Sequence, residues 1–190
     1  RRFSPLILKM MAMLPPGFKK AINIRINAGA APPDHWVHDP AVGGGRIIGE
    51  VCHFVDLAYF IAGSKAKNIQ ALSLSDNPVL NDTVSVNIEF ENGTIANNSY
   101  FSNGNKRVPK ERIEVFSNGI VFLINDFKSL EVFRENGRKI MNLRSRDKGH
   151  DKQFKLIAEA LSSDLDFPLS FNDIYHSTMV TLGIVRSIKE

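Results

Sequence analysis

The sequence has 190 residues, of which 43% are hydrophobic and 23% are charged, so it can bury one sizeable core but would struggle to bury two. No stretch approaches the roughly 18 to 20 uninterrupted apolar residues of a membrane span, and a formal net charge of +4 is too small an excess to indicate a nucleic-acid partner by itself. The only cysteine, Cys52, cannot form an internal disulfide, and the N-terminal stretch has no small-residue signal cleavage site. We therefore expect one cytoplasmic domain over residues 1–190, with neither a membrane nor a nucleic acid as partner.

The first third of the chain is predicted to contain a helix, a strand and a second helix. Apolar residues at helical spacing run over 3–14, and alternating apolar residues in AINIRINAG, at 21–29, predict a strand. A loop follows at 30–42. The next helix, over 43–62, opens with three glycines and is closed by Gly63.

The pattern then changes to alternation, which predicts a sheet followed by two helices. Asn-Gly pairs, the strongest short-range hairpin signal, recur at 92/93, 118/119 and 136/137. The predicted strands are 69–75, 83–90, 94–101, 112–117, 120–125, 129–134 and 139–143. A helix over about 148–162 carries Phe154, Ile157, Ala158 and Leu161 on one face, and a last helix covers 172–189. This order indicates an α+β fold, in which a largely antiparallel mixed sheet of about six or seven strands has helices on one face.

The segment GGGRIIGEVCHFVD, residues 43–56, concentrates chemistry-bearing residues where a loop leads into a helix. A dinucleotide-binding loop needs its glycines directly after an apolar strand, whereas these follow a long loop, so we expect no cofactor site in this chain. The glycines either let the backbone approach a ligand or form a tight turn, and the sequence leaves both open. The histidines and Cys52 have no standard zinc spacing, so no metal site is predicted.

Glu50, His53 and Asp56 recur every three residues, which places them along one stripe of a regular helix. A carboxylate beside the imidazole would fix its tautomer and raise its pKa towards neutrality, as a general acid or base requires. This spacing predicts a proton-transfer site. It is also typical of a core histidine whose ring is hydrogen-bonded to Asp56, and spacing alone does not separate the two.

Several segments resemble the C-terminal domain of the glucose-fructose oxidoreductase, inositol dehydrogenase and MocA-like family. They are RRFSPL at 1–6, NAGAAPPDHWVHDP at 27–40, GGGRIIGEVCHFVD at 43–56, PKERIEVF at 109–116 and DKGHDKQF at 147–154. The resemblance spans essentially the whole chain and is greatest to the branch associated with sugar and polysaccharide metabolism. It implies an open-faced sheet that completes a substrate site and often forms the oligomer interface. It also implies an N-terminal Rossmann domain, binding NAD or NADP, that is absent from this chain.

The resemblance implies roles for individual residues as well. In the family, a histidine three residues before an aspartate takes part in proton transfer at the substrate hydroxyl, and His53 and Asp56 match this pair. Many relatives have an aspartate four residues before that histidine, where this chain has Gly49, and Glu50 is the candidate replacement. The family's lysine, in a Glu-Lys-Pro motif, would belong to the absent domain. We therefore expect this chain alone to be inactive and to bind no dinucleotide tightly.

A substrate site is expected around the end of the first strand and the loop before the glycines. Its candidate residues are Asn27, Asp34, His35, Trp36 and Arg46. A tryptophan flanked by Asp and His suits a sugar ring, which is apolar on one face and rich in hydroxyls at its rim. A loop anchor packed on the domain is the alternative for Trp36. Arg46 would meet a carboxylate or phosphate of the substrate, or form a surface ion pair.

The sequence thus predicts the substrate-binding half of an NAD(P)-dependent dehydrogenase acting on a sugar-like hydroxyl, with homo-oligomers formed through the sheet face. One alternative is a non-catalytic domain whose sheet only pairs subunits. Another is a nucleic-acid binder that uses the basic residues of 134–155. Acidic residues are interspersed there and no stacking aromatic lies between 138 and 153, so a solvated surface is the better interpretation.

Overall fold

The computed structural model describes residues 1–189 apart from 33, 40, 75–81 and 164. The helices are α1 (Pro5–Met11), α2 (Cys52–Ala62), α3 (His150–Ser163) and α4 (Phe171–Ser187), with a 3₁₀ turn at Trp36–His38 and a π-helical turn at Ile47–Val51. The strands are β1 (Ala21–Asn27), β2 (Ala66–Ser73), β3 (Val84–Phe90), β4 (Ile95–Phe101), β5 (Glu111–Ser117), β6 (Ile120–Asn125), β7 (Ser129–Arg134) and β8 (Gly137–Asn142). Ser75, the last residue of the predicted strand 69–75, lies outside the described residues.

The eight strands form one open sheet in the order β2-β3-β4-β1-β5-β6-β7-β8. β1 lies inside it, parallel to β4 and antiparallel to β5, and the other neighbouring pairs are antiparallel. The predicted α+β class with an open-faced, largely antiparallel mixed sheet is confirmed. The position of β1 between β4 and β5 is not predicted from the sequence, because alternation identifies a strand but not the strands with which it pairs.

Each of the Asn-Gly pairs closes a hairpin, as predicted. They join β3 to β4, β5 to β6 and β7 to β8. At Asn118 and Gly119 the φ angles are 47° and 73°, both in the left-handed region. A two-residue type I′ turn requires positive φ at both positions, and Asn and Gly tolerate it best.

One face of the sheet is buried under the helices. Along β4, Ala96, Asn98 and Tyr100 are buried whereas Ile95 is 56% exposed, the period-two pattern of a sheet covered on one side. α2 contacts the adjacent strands β1 and β4, while α4 packs on α2 and on β2. The segment 43–56 therefore runs into the helix that covers the middle of the sheet.

Two helices differ from their predictions. The glycine run leads first into the π-helical turn, in which the amide of Cys52 donates to the carbonyl of Ile47, five residues back, so the helix is not regular from its start. The apolar face predicted on α3 is exposed: Phe154 and Leu161 are each 70% exposed. Periodicity identifies an apolar stripe but not the surface that covers it.

Candidate functional site

A cluster of charges lies at the turn that leads into α2. Arg46 is only 4% exposed, and its Nε and Nη2 donate to Glu50 Oε1 at 3.3 and 3.2 Å. Its Nη1 donates to the carbonyl oxygen of Gly29 at 2.6 Å, and the guanidinium lies 5.1 Å from the centre of the Tyr100 ring. Lys110 Nζ is 3.2 Å from Glu50 Oε2. The buried Arg46 therefore pairs with the partly buried Glu50, which differs from the surface ion pair that the sequence allows.

Glu50 bridges two cations, which fixes its protonation. Burial acts to raise the pKa of Glu50, but the charges of Lys110 and Arg46 outweigh it and leave that pKa below its ordinary value. Glu50 is thus ionised at neutral pH. A carboxylate held in this way positions the two cations, and it has no proton to donate.

His53 lies on α2 and is exposed to solvent. The sequence predicts that the His53 ring lies between the carboxylates of Glu50 and Asp56. This prediction is wrong, because both carboxylates bind other described residues instead. The π-helical turn contributes to this outcome for Glu50, because it interrupts the regular three-residue stripe just before His53.

The predicted rise of the His53 pKa is also wrong. Partial burial lowers that pKa and the positive charge of Arg1 lowers it further, against the smaller opposing effects of Asp56 and Glu50. His53 is therefore neutral at neutral pH. A neutral imidazole has a free ring nitrogen that can accept a proton.

Asp56 is held by partners that are distant in the sequence. It forms an ion pair with the buried Arg2, whose Nη1 also lies 3.4 Å from Asp173 Oδ2 on α4. Ser177 Oγ donates to Asp56 Oδ1 at 3.3 Å. These contacts join the N-terminal segment, α2 and α4 through one carboxylate, so Asp56 fixes the position of the helix that carries His53.

The glycines before α2 form a tight turn. The backbone amides of Gly43 and Gly44 donate to the carbonyl of Asp39 at 2.8 and 3.1 Å, and a Cβ on Gly43 would lie 2.6 Å from Val37 Cα. Gly44 and Gly45 have φ of 64° and 83°. Because two of the amides are already used, these contacts favour the tight-turn interpretation over a ligand cradle.

The predicted sugar-binding residues Asp34, His35 and Trp36 lie in the exposed loop that precedes this turn. Trp36 is 58% exposed, and the centre of its ring lies 5.6 Å from that of His35. Val37, only 4% exposed, is the residue that anchors the loop. Trp36 is therefore not the buried loop anchor that the sequence allows, and its exposure is compatible with a sugar-stacking role.

Asn27 is buried, and its amide is used within the protein. Its Nδ2 donates to the carbonyl oxygens of Asn105 and Val108 at 2.7 and 3.0 Å. A Cβ on Gly104 would lie 1.7 Å from Asn27 Oδ1, so this loop approaches Asn27 more closely than any other residue type would allow. Asn27 thus positions the loop between β4 and β5.

Two residues of this cluster are missed by sequence reasoning, Lys110 and Tyr100. Lys110 lies in PKERIEVF, a segment quoted for its resemblance, but no spacing rule connects it with Glu50, 60 residues away. Tyr100 reads as an ordinary strand residue. Its hydroxyl is buried, and burial raises its pKa, with a smaller contribution in the same direction from Glu50.

The described residues do not favour a metal site, a reactive cysteine or a membrane span. Among them, no group of three or more His, Cys, Asp or Glu side chains is placed to hold a metal ion. Burial raises the pKa of the Cys52 thiol, which suits an unreactive side chain. No helix within these ranges is both long and apolar enough to cross a membrane.

Solved oxidoreductases share this fold. The UDP-N-acetylglucosamine 3-dehydrogenase from Acidithiobacillus ferrooxidans matches with a TM-score of 0.82 at 14% identity, over 99% of this chain and 59% of that protein. An aldose-aldose oxidoreductase from Caulobacter crescentus, solved with glycerol, matches with a TM-score of 0.78 at 14% identity, over 98% of this chain and 57% of that protein. A dehydrogenase from Clostridium difficile matches with a TM-score of 0.78 at 15% identity, over 99% of this chain and 60% of that protein. The chain spans about three fifths of the length of these proteins.

A search among curated protein sequences finds no match. The family model of the GFO/IDH/MocA C-terminal domain, however, matches residues 20–119, which is more than half of the chain. The matched region includes β1, the glycine turn, α2 with His53, and the strands through β5. The chain therefore belongs to the GFO/IDH/MocA C-terminal domain family.

Proposed function

We propose that this chain is the substrate-binding part of an NAD(P)-dependent dehydrogenase that acts on a hydroxyl group of a sugar or sugar derivative. Family membership supports an oxidoreductase, and two of the solved relatives are named for sugar substrates. The observation that carries the proposal is His53, an exposed imidazole on α2 whose lowered pKa keeps it neutral at neutral pH.

The chemistry requires a base at the substrate hydroxyl. When a hydride leaves a carbon that bears a hydroxyl, a carbonyl forms only if the hydroxyl proton leaves as well. His53 accepts that proton at its free ring nitrogen. Glu50 and Asp56, which bind Lys110, Arg46 and Arg2, hold the start and the body of α2 in place.

The hydride acceptor belongs outside this chain. The described residues offer no strand-linked glycine loop, and the amides of Gly43 and Gly44 are already bound to Asp39. The proposal assigns NAD or NADP, which supplies the hydride acceptor when bound, to a separate Rossmann domain beyond residues 1–190. Trp36, with Asp34 and His35 beside it, would then face the sugar.

Replacing His53 tests this proposal in the full natural chain, with UDP-N-acetylglucosamine and glucose as probes. His53→Asn should lower kcat by about 10²- to 10⁴-fold, the usual contribution of a general base. The wild-type rate should fall on the acid side below about pH 6.5, because the pKa of His53 is lowered from that ordinary value. This acid limb should be absent in the variant.

A second histidine provides the control. His176 accepts a hydrogen bond from the amide of Ala66 at 3.0 Å, and its ring centre lies 4.6 Å from that of Tyr59 at a tilt of 43°, which is a structural role. His176→Asn should lower the melting temperature while kcat per folded molecule stays near wild type. A stable His53→Asn enzyme with full activity would rule out the assignment of the base.

Self-association through the open sheet face is the second part of the proposal. Ile95, Ala21 and Phe116 lie side by side on that face, and Ile95 and Phe116 are 56% and 43% exposed. They border a cavity of about 490 Å³. An apolar row of this kind is typical of a surface that a second copy of the chain covers.

A further inference from the structure

A second cavity, of about 410 Å³, lies where β1 ends and where the loop between β4 and β5 leads into β5. Four cationic side chains line it: Lys106, Arg107, Lys110 and Arg146. Asp126 is the acidic residue of the lining, so the wall carries an excess of three positive charges. Like charges gathered around a concavity raise the local concentration of anions.

Two of these cations already have partners. Arg146 pairs with Asp126, and Lys110 lies 3.2 Å from Glu50 Oε2, a carboxylate that it shares with Arg46. Lys106 and Arg107 form no ion pair with any described residue. The uncompensated charge of the cavity is therefore concentrated on two adjacent residues.

The backbone that presents Lys106 and Arg107 is held from both sides. Asn27 donates to the carbonyls of Asn105 and Val108, and the amide of Arg107 donates to Asn105 Oδ1 at 2.9 Å. A loop fixed in this way loses little conformational freedom when a ligand binds, which favours affinity.

The cavity is also linked to the helix that carries His53. Lys110 belongs to the cavity wall, and its ammonium binds Glu50, which lies one turn before His53 in the chain. A ligand that contacts Lys110 is therefore connected through one carboxylate to the start of α2.

We propose that this cavity binds the phosphate or diphosphate group of a small-molecule ligand, with Lys106 and Arg107 as its principal contacts. Arg offers a forked set of donors that matches phosphate oxygens, and Lys adds a compact charge. The volume lies in the range of about 300 to 1,000 Å³ that small-molecule sites occupy. None of the described residues that line the cavity is aromatic, so stacking of nucleic-acid bases is not supported. Assigning this group to the dehydrogenase substrate rests on the proposed function.

Calorimetric titration of the full natural chain with inorganic pyrophosphate tests the site without any turnover. The variant Lys106→Gln/Arg107→Gln should raise the Kd for pyrophosphate by about tenfold or more, since it removes charge-assisted contacts. The control Arg144→Gln/Lys152→Gln removes the same charge from exposed positions outside the cavity and should change Kd by less than about twofold. Equal weakening in both variants, or no wild-type binding at millimolar concentration, would overturn the proposal.

Kinetics then separate this site from the proposed function. Lys106→Gln/Arg107→Gln should raise KM for UDP-N-acetylglucosamine while leaving KM for the uncharged N-acetylglucosamine unchanged. Pyrophosphate binding that depends on these two residues, in a protein without dehydrogenase activity, would retain the site and refute the function. Turnover that depends on His53, in a protein that does not bind pyrophosphate, would support the proposed function and refute the phosphate site.

Discussion

At the scale of single residues, the site is organised around carboxylates that hold cations. Glu50 binds Arg46 and Lys110, and Asp56 binds Arg2. His53 is left without such a partner among the described residues, and partial burial together with the charge of Arg1 lowers its pKa. The geometry thus separates the residue suited to proton transfer from those that hold the helix.

Glu50→Gln should destabilise the protein by about 1–3 kcal/mol at neutral pH, because it leaves the buried Arg46 without its charged partner. The folded-state pKa of Glu50 is depressed, so its contribution is full above the ordinary glutamate value of about 4.3 and is lost as the pH falls through the lower folded value. Urea unfolding should therefore show a gap between wild type and variant at neutral pH that shrinks below about pH 4.

The control for this experiment is Glu135→Gln, at an exposed position where no described ion pair forms. It should change the free energy of unfolding by less than about 0.5 kcal/mol. A gap for Glu50→Gln that stays constant across the pH range would show that its charge is not what stabilises the fold.

The sequence predicts which residue types gather at this site better than it predicts their contacts. The spacing of Glu50, His53 and Asp56 suggests contacts among these three residues, yet the carboxylates bind Lys110, Arg46 and Arg2, and two of these partners lie far along the chain. Local spacing can place residues on one helix face, but it carries no information on what another segment brings to that face. This is why Lys110 escapes prediction.

At the scale of elements, local signals are reliable where the backbone itself demands a residue type. The Asn-Gly hairpins are predicted because positive φ excludes most other residues. The π-helical turn and the exposed apolar face of α3 are not predicted, since both depend on what packs against the helix. The conformation of the loop between β4 and β5 is not predicted either, because it depends on hydrogen bonds from Asn27, which lies on β1.

Asn27→Ala should loosen that loop. It leaves the carbonyls of Asn105 and Val108 without their donor, which should cost about 1–3 kcal/mol of unfolding free energy and weaken pyrophosphate binding. Asn23→Ala, on the open face of the same strand, removes a bond to Glu114 and should cost only about 0.5–1.5 kcal/mol with no change in pyrophosphate affinity. Calorimetry and urea unfolding on the same samples measure both quantities. Unchanged pyrophosphate affinity in Asn27→Ala would contradict a fixed loop as the basis of binding.

At the scale of the whole molecule, the open sheet face predicts a self-associating chain. Ile95→Lys or Phe116→Lys places a charge in the apolar row and should raise the dimer Kd by about tenfold or more in sedimentation experiments. Val42→Lys, at a 70% exposed loop position, is the matched control and should leave association unchanged. A wild-type protein that stays monomeric over a wide concentration range would refute the association.

The position of β1 also determines the order in which the sheet can be completed. The strands β2 to β4 and β5 to β8 follow one another as antiparallel neighbours, so each set forms from contacts close in the chain. β1 joins the two sets, and its partners β4 and β5 come much later in the sequence. During synthesis, β1 leaves the ribosome before the other strands of this sheet, and it has no strand to pair with until β4, through residue 101, has followed. The nascent chain therefore carries an unpaired apolar strand until β4 has been made, and this strand is the segment that a chaperone would have to shield.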